Sequence, residues 1–227
     1  MANSWTGRLS GNGYLYVIES FAVRVAKSIV GGEITEPNNP LGDLYHRGPK
    51  SYSEVKAAGL SAGPIVDRDQ FDRHLEDLEQ HDHRYVFVLY NGRRWENGRW
   101  IYLPQKASRT RGTLEKFLTL NVREVHVVHI SVIEAIFRNC PKKDLKCYLM
   151  QRGPKTYIRL YPGKIRNIVN EPECLVELGL DPNDYLVGVR KRVVRFDGRA
   201  IPVEVLTVRP KPFSDESFLP AQEISSA

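Results

Sequence analysis

The chain has 227 residues, 41% of them hydrophobic and 26% charged, with a formal net charge of +6. This is apolar material for one sizeable core, or a core with an elaboration, which excludes a disordered chain except at the ends; the positive balance points to a polyanionic partner. Three cysteines without C-x2-C spacing exclude a disulfide framework and a zinc knuckle. No apolar run approaches the roughly 18 residues of a membrane span, and Met1-Ala2-Asn3-Ser4-Trp5 lacks signal-peptide character, so a soluble, cytoplasmic protein with no membrane partner is expected.

In chain order, Ile18, Phe21, Ala22, Val25 and Ile29 form a helical stripe ended by Gly31-Gly32. Glu19 stands one turn into this helix, either as an acidic group near a site or as an ordinary exposed glutamate, and Glu33 is a weaker version of the same idea. Asp43 then precedes the turn formers Arg47-Gly48-Pro49, and Lys50 to Ala58 reads as a strand. Strand alternation puts Glu54 and Lys56 on one face and Val55 on the other. A hairpin through the turn brings Asp43 beside Glu54, gathering two hard oxygen ligands and one ammonium, a constellation for metal-dependent hydrolysis. The Val55 backbone carbonyl is expected to offer a further oxygen to a metal held by Asp43 and Glu54.

Gly59 to Pro64 is a turn-rich connector, and Asp67 to Leu78 reads as an amphipathic helix with Phe71, Leu75 and Leu78 as its stripe. Gln70 on this helix is either a group near the site or an exposed polar residue. His81-Asp82-His83 falls in a polar loop and, with His74, is not read as a metal site. Tyr85 to Tyr90 reads as a strand buried on both faces, closed by Asn91-Gly92. From about residue 91 to 120 an insertion interleaves Arg93, Arg94, Arg99, Lys106, Arg109, Arg111 and Lys116 with Trp95, Trp100 and Tyr102. These residues either hold phosphates and stack on bases or form a solvated hairpin about Asn97-Gly98. Val125 to Ile130 is a second buried strand with His126 and His129 as hydrogen-bonded structural groups, and Ser131-Val132-Ile133-Glu134 reads as a capping box opening a helix to about Phe137. Beyond Cys140 short alternating stretches predict a β-rich region over 140–213, and 214–227 is a tail. Arg190, Lys191, Arg192, Arg195 and Arg199 are outward charges on a half-buried sheet, or groups that track a DNA backbone.

The Asp43-x10-Glu54-x-Lys56 spacing, inside the order helix, hairpin strands, helix, strand, long excursion, strand, helix, resembles the PD-(D/E)XK nuclease superfamily. That is the fold of many restriction endonucleases and of archaeal Holliday-junction resolvases. The resemblance spans residues 14–137, is strongest over 41–91, and shows Gly42-Asp43 where the family has Pro-Asp. It implies an α/β, restriction-endonuclease-like core over 1–139, with a mixed central sheet flanked by helices. The insertion belongs to that core, and residues 140–213 serve as a DNA clamp or dimerisation surface. It also implies that Asp43 and Glu54 bind Mg2+, with Mn2+ as a substitute and no small-molecule cofactor, and that Lys56 positions or deprotonates the attacking water. Glu19 and Gln70 are its further candidates for the site. The implied function is a Mg2+-dependent DNA endonuclease leaving 5′-phosphates, of restriction type and homodimeric. A structure-specific nuclease for Holliday junctions or repair, and a non-catalytic DNA-binding or assembly subunit on the same fold, are the alternatives. A competing start, Gly13 to Ile18 as the first strand of a GIY-YIG domain, lacks the second Tyr-x-Gly strand.

Overall fold

A computed structural model of the protein describes residues 11–103, 110–139, 149–196 and 198–211, and the architecture below is that of these residues. Its first element is the helix α1 (Gly11–Val30), in which Val17, Ile18, Phe21, Ala22, Val25 and Ala26 are buried. Gly31, at φ +72°, closes it by donating to the Lys27 carbonyl at 2.9 Å. The stretch from Gly13 to Ile18 is therefore helical, which removes the GIY-YIG strand.

The central sheet contains β1 (Glu33–Ile34), β2 (Leu44–His46), β3 (Ser51–Gly59), β5 (Asp82–Tyr90), β8 (Val122–His129), β12 (Arg199–Pro210) and β11 (Tyr185–Phe196), in that spatial order. It is mixed: β2/β3 and β5/β8 are antiparallel, β3/β5 and β8/β12 parallel, and β12/β11 antiparallel. The chain is thus an α/β protein, with one apolar layer on each face of the sheet. Val55, Val86, Val88, Val125 and Val127 turn towards α1, whereas Ala58, Tyr85, Phe87, Leu89 and Val128 form the opposite layer. The strand from Tyr85 is buried on both faces, as its unbroken aromatic and β-branched run implies.

The β3-to-β5 crossover runs through β4 (Ile65–Asp67) and α2 (Arg68–Glu76), whose cap is the Asp67 carboxylate accepting from the Asp69 and Gln70 N–H groups. The expected stripe is corrected at its end. After Glu76 the chain tightens into one 3-10 turn, Asp77–Glu79, which leaves Leu78 exposed, and the buried contact of the last turn is His74. His83 is not in a loop either, since β5 begins at Asp82 and His83 is 1% exposed.

The insertion expected over 91–120 divides in two. Its first half is the hairpin β6 (Arg93–Glu96) and β7 (Arg99–Tyr102) about Asn97-Gly98. Its second half is a core helix, α3 (Arg111–Asn121), which buries Phe117, packs Leu114 and Leu118 into the same cluster as α1, and is tied to α1 by the Arg24–Glu115 ion pair at 2.7 Å. The capping box is also corrected. Helix α4 (Ile130–Arg138) starts two residues earlier than that box would place it, with His129 rather than Ser131 as its cap. Asp82 holds His129 Nε2 at 2.6 Å, which leaves Nδ1 to accept from the Ser131 N–H at 3.1 Å, while Glu134 pairs with Arg138.

The region after residue 140 does not form a separate layer. Strand β12 pairs in parallel with β8 inside the central sheet, so 139/140 is not a border of that sheet. The pair β9 (Leu149–Arg152) and β10 (Lys155–Arg159) joins β4 instead. Two helices interrupt the expected β-rich pattern: α5 (Pro162–Asn170), seated by Ile165 and Ile168, and α6 (Cys174–Glu177). Arg190, Lys191, Arg195 and Arg199 are exposed on the outer hairpin, and the expected tail over 214–227 lies outside the described residues. No helix among the described residues is long and apolar enough to cross a membrane.

The connector after β3 turns at Gly63, whose φ is +72° and where an added Cβ would overlap the Leu160 carbonyl oxygen. The adjoining Pro64 carbonyl accepts from the Leu160 N–H at 2.9 Å, so the two segments have no room to part. Gly63→Ala is expected to cost about 1–3 kcal/mol, through left-handed strain and lost β4–β10 pairing, read as a drop in the urea midpoint. A midpoint equal to wild type would show that the junction is plastic.

Candidate active site

Asp43 is delivered by a turn that only glycine can make. Gly42 has φ +144°, and a Cβ there would sit 3.0 Å from the Ser53 carbonyl oxygen. Proline, fixed near −65°, cannot adopt this backbone, so glycine before the aspartate is a conformational requirement of this chain. The Asp43 main chain then pairs across to β3 through its N–H and the Ser53 carbonyl at 3.0 Å, and its Oδ2 accepts the Val55 N–H at 2.8 Å. Alternate residues of a strand present their peptide groups to the same edge. The Val55 carbonyl therefore faces the same edge as the Val55 N–H, just past the end of β2.

Glu54 is 5% exposed and forms an ion pair with Lys56 two residues along the same face. Burial, and after it the negative charge of Glu54, push the Asp43 carboxyl up to about 6, against the opposing Val55 N–H and Lys56 ammonium. Burial acts to lower the affinity of Lys56 for its proton, but Glu54, Asp43 and Glu19 outweigh it and hold the ammonium above its ordinary range. Exposed Glu19 on α1 is therefore within electrostatic reach of the group. Two carboxylates and one permanent cation thus share a small, mostly buried volume.

The other expected residues are distributed differently. Gln70 is half-buried in the first turn of α2, and the bonds among the described residues link it only through its backbone to Asp67. Glu33 is paired with Arg47 at 3.1 Å on the sheet edge. Arg93, Arg94, Trp95, Arg99 and Trp100 stand on the β6–β7 hairpin, Arg111 pairs with Glu115 on α3, and Lys106 and Arg109 lie outside the described residues.

His74 is the residue sequence reading passed over. It is fully buried, with Nε2 2.9 Å from the Pro40 carbonyl and Nδ1 2.9 Å from the Tyr85 hydroxyl. A carbonyl only accepts, so Nε2 carries the proton and Nδ1 receives the Tyr85 O–H. Burial, and less strongly the positive charges of His83, Lys56 and Arg73, push this imidazole down to about 4 against the Pro40 bond, so it is neutral at ordinary pH. His74 thereby fastens the loop that carries Asp43 to the strand carrying Tyr85, the register partner of Glu54. It stacks on His83 at 4.6 Å, and His83 and His81 both contact Asp77 Oδ2, at 2.6 and 2.9 Å. Only the periodicity placing position 74 on the buried face of α2 could have revealed it.

Among the described residues there is no group of three or more His, Cys, Asp and Glu arranged to hold a metal ion. A hard, strongly hydrated divalent cation does not require one, because Mg2+ is held by one or two carboxylates with waters and substrate oxygens completing its shell. Asp43 and Glu54 each keep one oxygen outside the Val55 and Lys56 contacts, and burial, with the charge of Glu54 after it, makes the ionised Asp43 carboxylate costly without a further cation. The residues fit Mg2+ on that ground. No family model, curated protein or solved structure matches the chain.

Proposed function

We propose that the protein is a Mg2+-dependent DNA endonuclease on a restriction-endonuclease-like core, with Asp43 and Glu54 as metal ligands. The supporting observation is the convergence of Asp43, Glu54 and Lys56 on one face of the β2–β3 hairpin, where the buried Glu54 and half-buried Asp43 carboxylates have, among the described residues, one lysine beside them. A purely structural module has little use for such a surplus of buried negative charge, which weighs against the non-catalytic subunit. Mg2+ bound there, with the Val55 carbonyl as a further oxygen, would supply Lewis-acid stabilisation of the phosphoryl charge. Lys56 stays protonated, so its part is to orient the attacking water and neutralise charge on the phosphate. Water adds to phosphorus, the bond to the 3′-oxygen breaks in line, and the products carry a 5′-phosphate and a 3′-hydroxyl. Glu19 tunes the lysine from α1, and His74 holds the Asp43 loop in register.

Incubation with Mg2+ and supercoiled plasmid, linear duplex or a four-way junction tests this. Cleavage of at least one substrate that disappears with EDTA and in Glu54→Ala is expected, and a metal-independent or absent activity would overturn the assignment. Discrete plasmid fragments would identify the restriction-type version, and junction-only cutting the resolvase version. Cutting both strands of a duplex needs two catalytic centres facing antiparallel backbones, so the restriction-type version carries a two-fold homodimer with it. Sedimentation with and without DNA is expected to show that dimer. A monomer in both states that only nicks plasmid would remove the dimer and leave the metal chemistry in place.

A further inference from the structure

The β6–β7 hairpin presents two unlike faces. Arg93, Trp95, Trp100 and Tyr102 share one, because Arg93 is opposite Tyr102 and Trp95 opposite Trp100 in the register. Arg94 and Glu96 share the other and bond to each other at 2.5 Å. On the aromatic face Trp95 is 60% exposed, Trp100 46% and Tyr102 58%. The Arg93 guanidinium lies 4.5 Å from the centre of the Trp100 ring, which holds a cation in the row of rings. At its base this face opens into a cavity of about 430 Å³ lined by Leu60, Ser61, Asn91, Gly92, Arg93 and Tyr102.

A hairpin that needed only stability would account for the Trp95–Trp100 pair, whose rings meet edge to face at 5.2 Å. It would not account for the exposed Tyr102 or for the open cavity beside it, whose lining mixes Leu60 and Tyr102 with Ser61, Asn91 and Arg93. From these features we infer that the aromatic face and its cavity bind unpaired nucleotides, so that the substrate is DNA with a single-stranded portion near the cut. The inference rests on the reading above only in taking the polyanion to be DNA. Bases inside a duplex are covered above and below, and offer a flat ring no π-face; an unpaired base offers both. Three arginines against one glutamate between Arg93 and Tyr102 suit a phosphate backbone. The cavity falls within the roughly 300–1,000 Å³ of small-molecule sites, and Asn91 among its lining residues is of a type that can both donate to and accept from a base edge.

Position supports the same substrate. Leu60 is the first residue after β3, where the chain begins to turn, and its N–H bonds to the Tyr90 carbonyl at 2.9 Å. It lies four steps along the chain from Lys56, roughly 13 Å at the rise of a strand, a span of a few nucleotides. One strand can therefore occupy both places at once.

The test is fluorescence anisotropy in EDTA with a labelled oligothymidine of about 12 nucleotides, in the range of single-strand sites, and a blunt duplex of the same length. Wild type is expected to prefer the single strand, and Trp100→Ala or Tyr102→Ala to weaken that binding by roughly five- to a hundredfold, with duplex binding little changed. Trp100→Phe, which keeps a stacking face, is expected to retain most of the affinity and guards against a collapsed hairpin. Arg93→Gln is expected to reduce the slope of log affinity against log salt by about 0.7 for its single-strand contact. Equal binding of single strand and duplex by wild type, or unchanged binding in both aromatic variants, would overturn the inference. Mg2+-dependent plasmid cleavage is measured alongside it. Cleavage without single-strand preference sinks this inference alone, whereas single-strand preference without cleavage sinks the nuclease reading alone.

Discussion

Asp43→Asn is expected to lower cleavage by at least about 10²–10³-fold, the scale of losing one major electrostatic contributor, while making the metal-free protein more stable above pH 6. The two effects have one cause. Burial and Glu54 raise the Asp43 carboxyl from 3.8 to about 6, so the folded state binds its proton more tightly than the unfolded chain does. Stability then falls as pH rises through the window from 3.8 to about 6, and the full penalty is present above it. The size is on the order of 2–3 kcal/mol, since each tenfold gain in proton affinity corresponds to about 1.4 kcal/mol. Asparagine keeps an oxygen to accept the Val55 N–H and carries no charge, so it removes the penalty without removing the bond. Thermal melts in EDTA at pH 4 and pH 7.5 read this directly. The variant should gain at the higher pH and match wild type at the lower. A variant less stable than wild type at pH 7.5 would mean that the carboxylate is not strained.

The same balance of burial and charge explains what the sequence revealed. The alternation Glu54-Val55-Lys56 and the turn at Arg47-Gly48-Pro49 are local, and local geometry put Asp43, Glu54 and Lys56 together. The Tyr85 to Tyr90 run was legible because a strand covered on both faces has no polar alternation to disguise it. His74 was not legible, because its partners are the Pro40 carbonyl, 34 residues upstream, and a tyrosine on another strand. Nor was the insertion of β12 beside β8, since a parallel pairing between distant segments leaves no turn signal between them. The start of α4 was misplaced for a more specific reason. A histidine caps a helix only when something fixes its tautomer, and here that is Asp82, 47 residues away.

Lys56→Met should produce the other large effect, in the opposite direction. The lysine ammonium balances Glu54 and Asp43 in a site where its own side chain is 30% exposed and that of Glu54 5%. Methionine keeps most of the stem but leaves the carboxylates uncompensated, which costs about 3–5 kcal/mol for a buried pair broken from one side. The proton affinity of Lys56 is raised above the ordinary 10.5 in the fold. Its contribution is therefore fully present below 10.5 and is lost only as pH climbs through the higher folded value, so neutral buffer reports the whole loss. A divalent cation can replace the missing charge. Mg2+ should therefore raise the melting temperature of Lys56→Met more than that of wild type, by the mass action of a ligand that binds only the folded state. Cleavage should nevertheless stay low, because the metal then has no lysine beside it to orient water. A destabilised variant whose melting temperature ignores Mg2+ would show that Asp43 and Glu54 do not form a metal site, and that Lys56 is only their structural counter-ion.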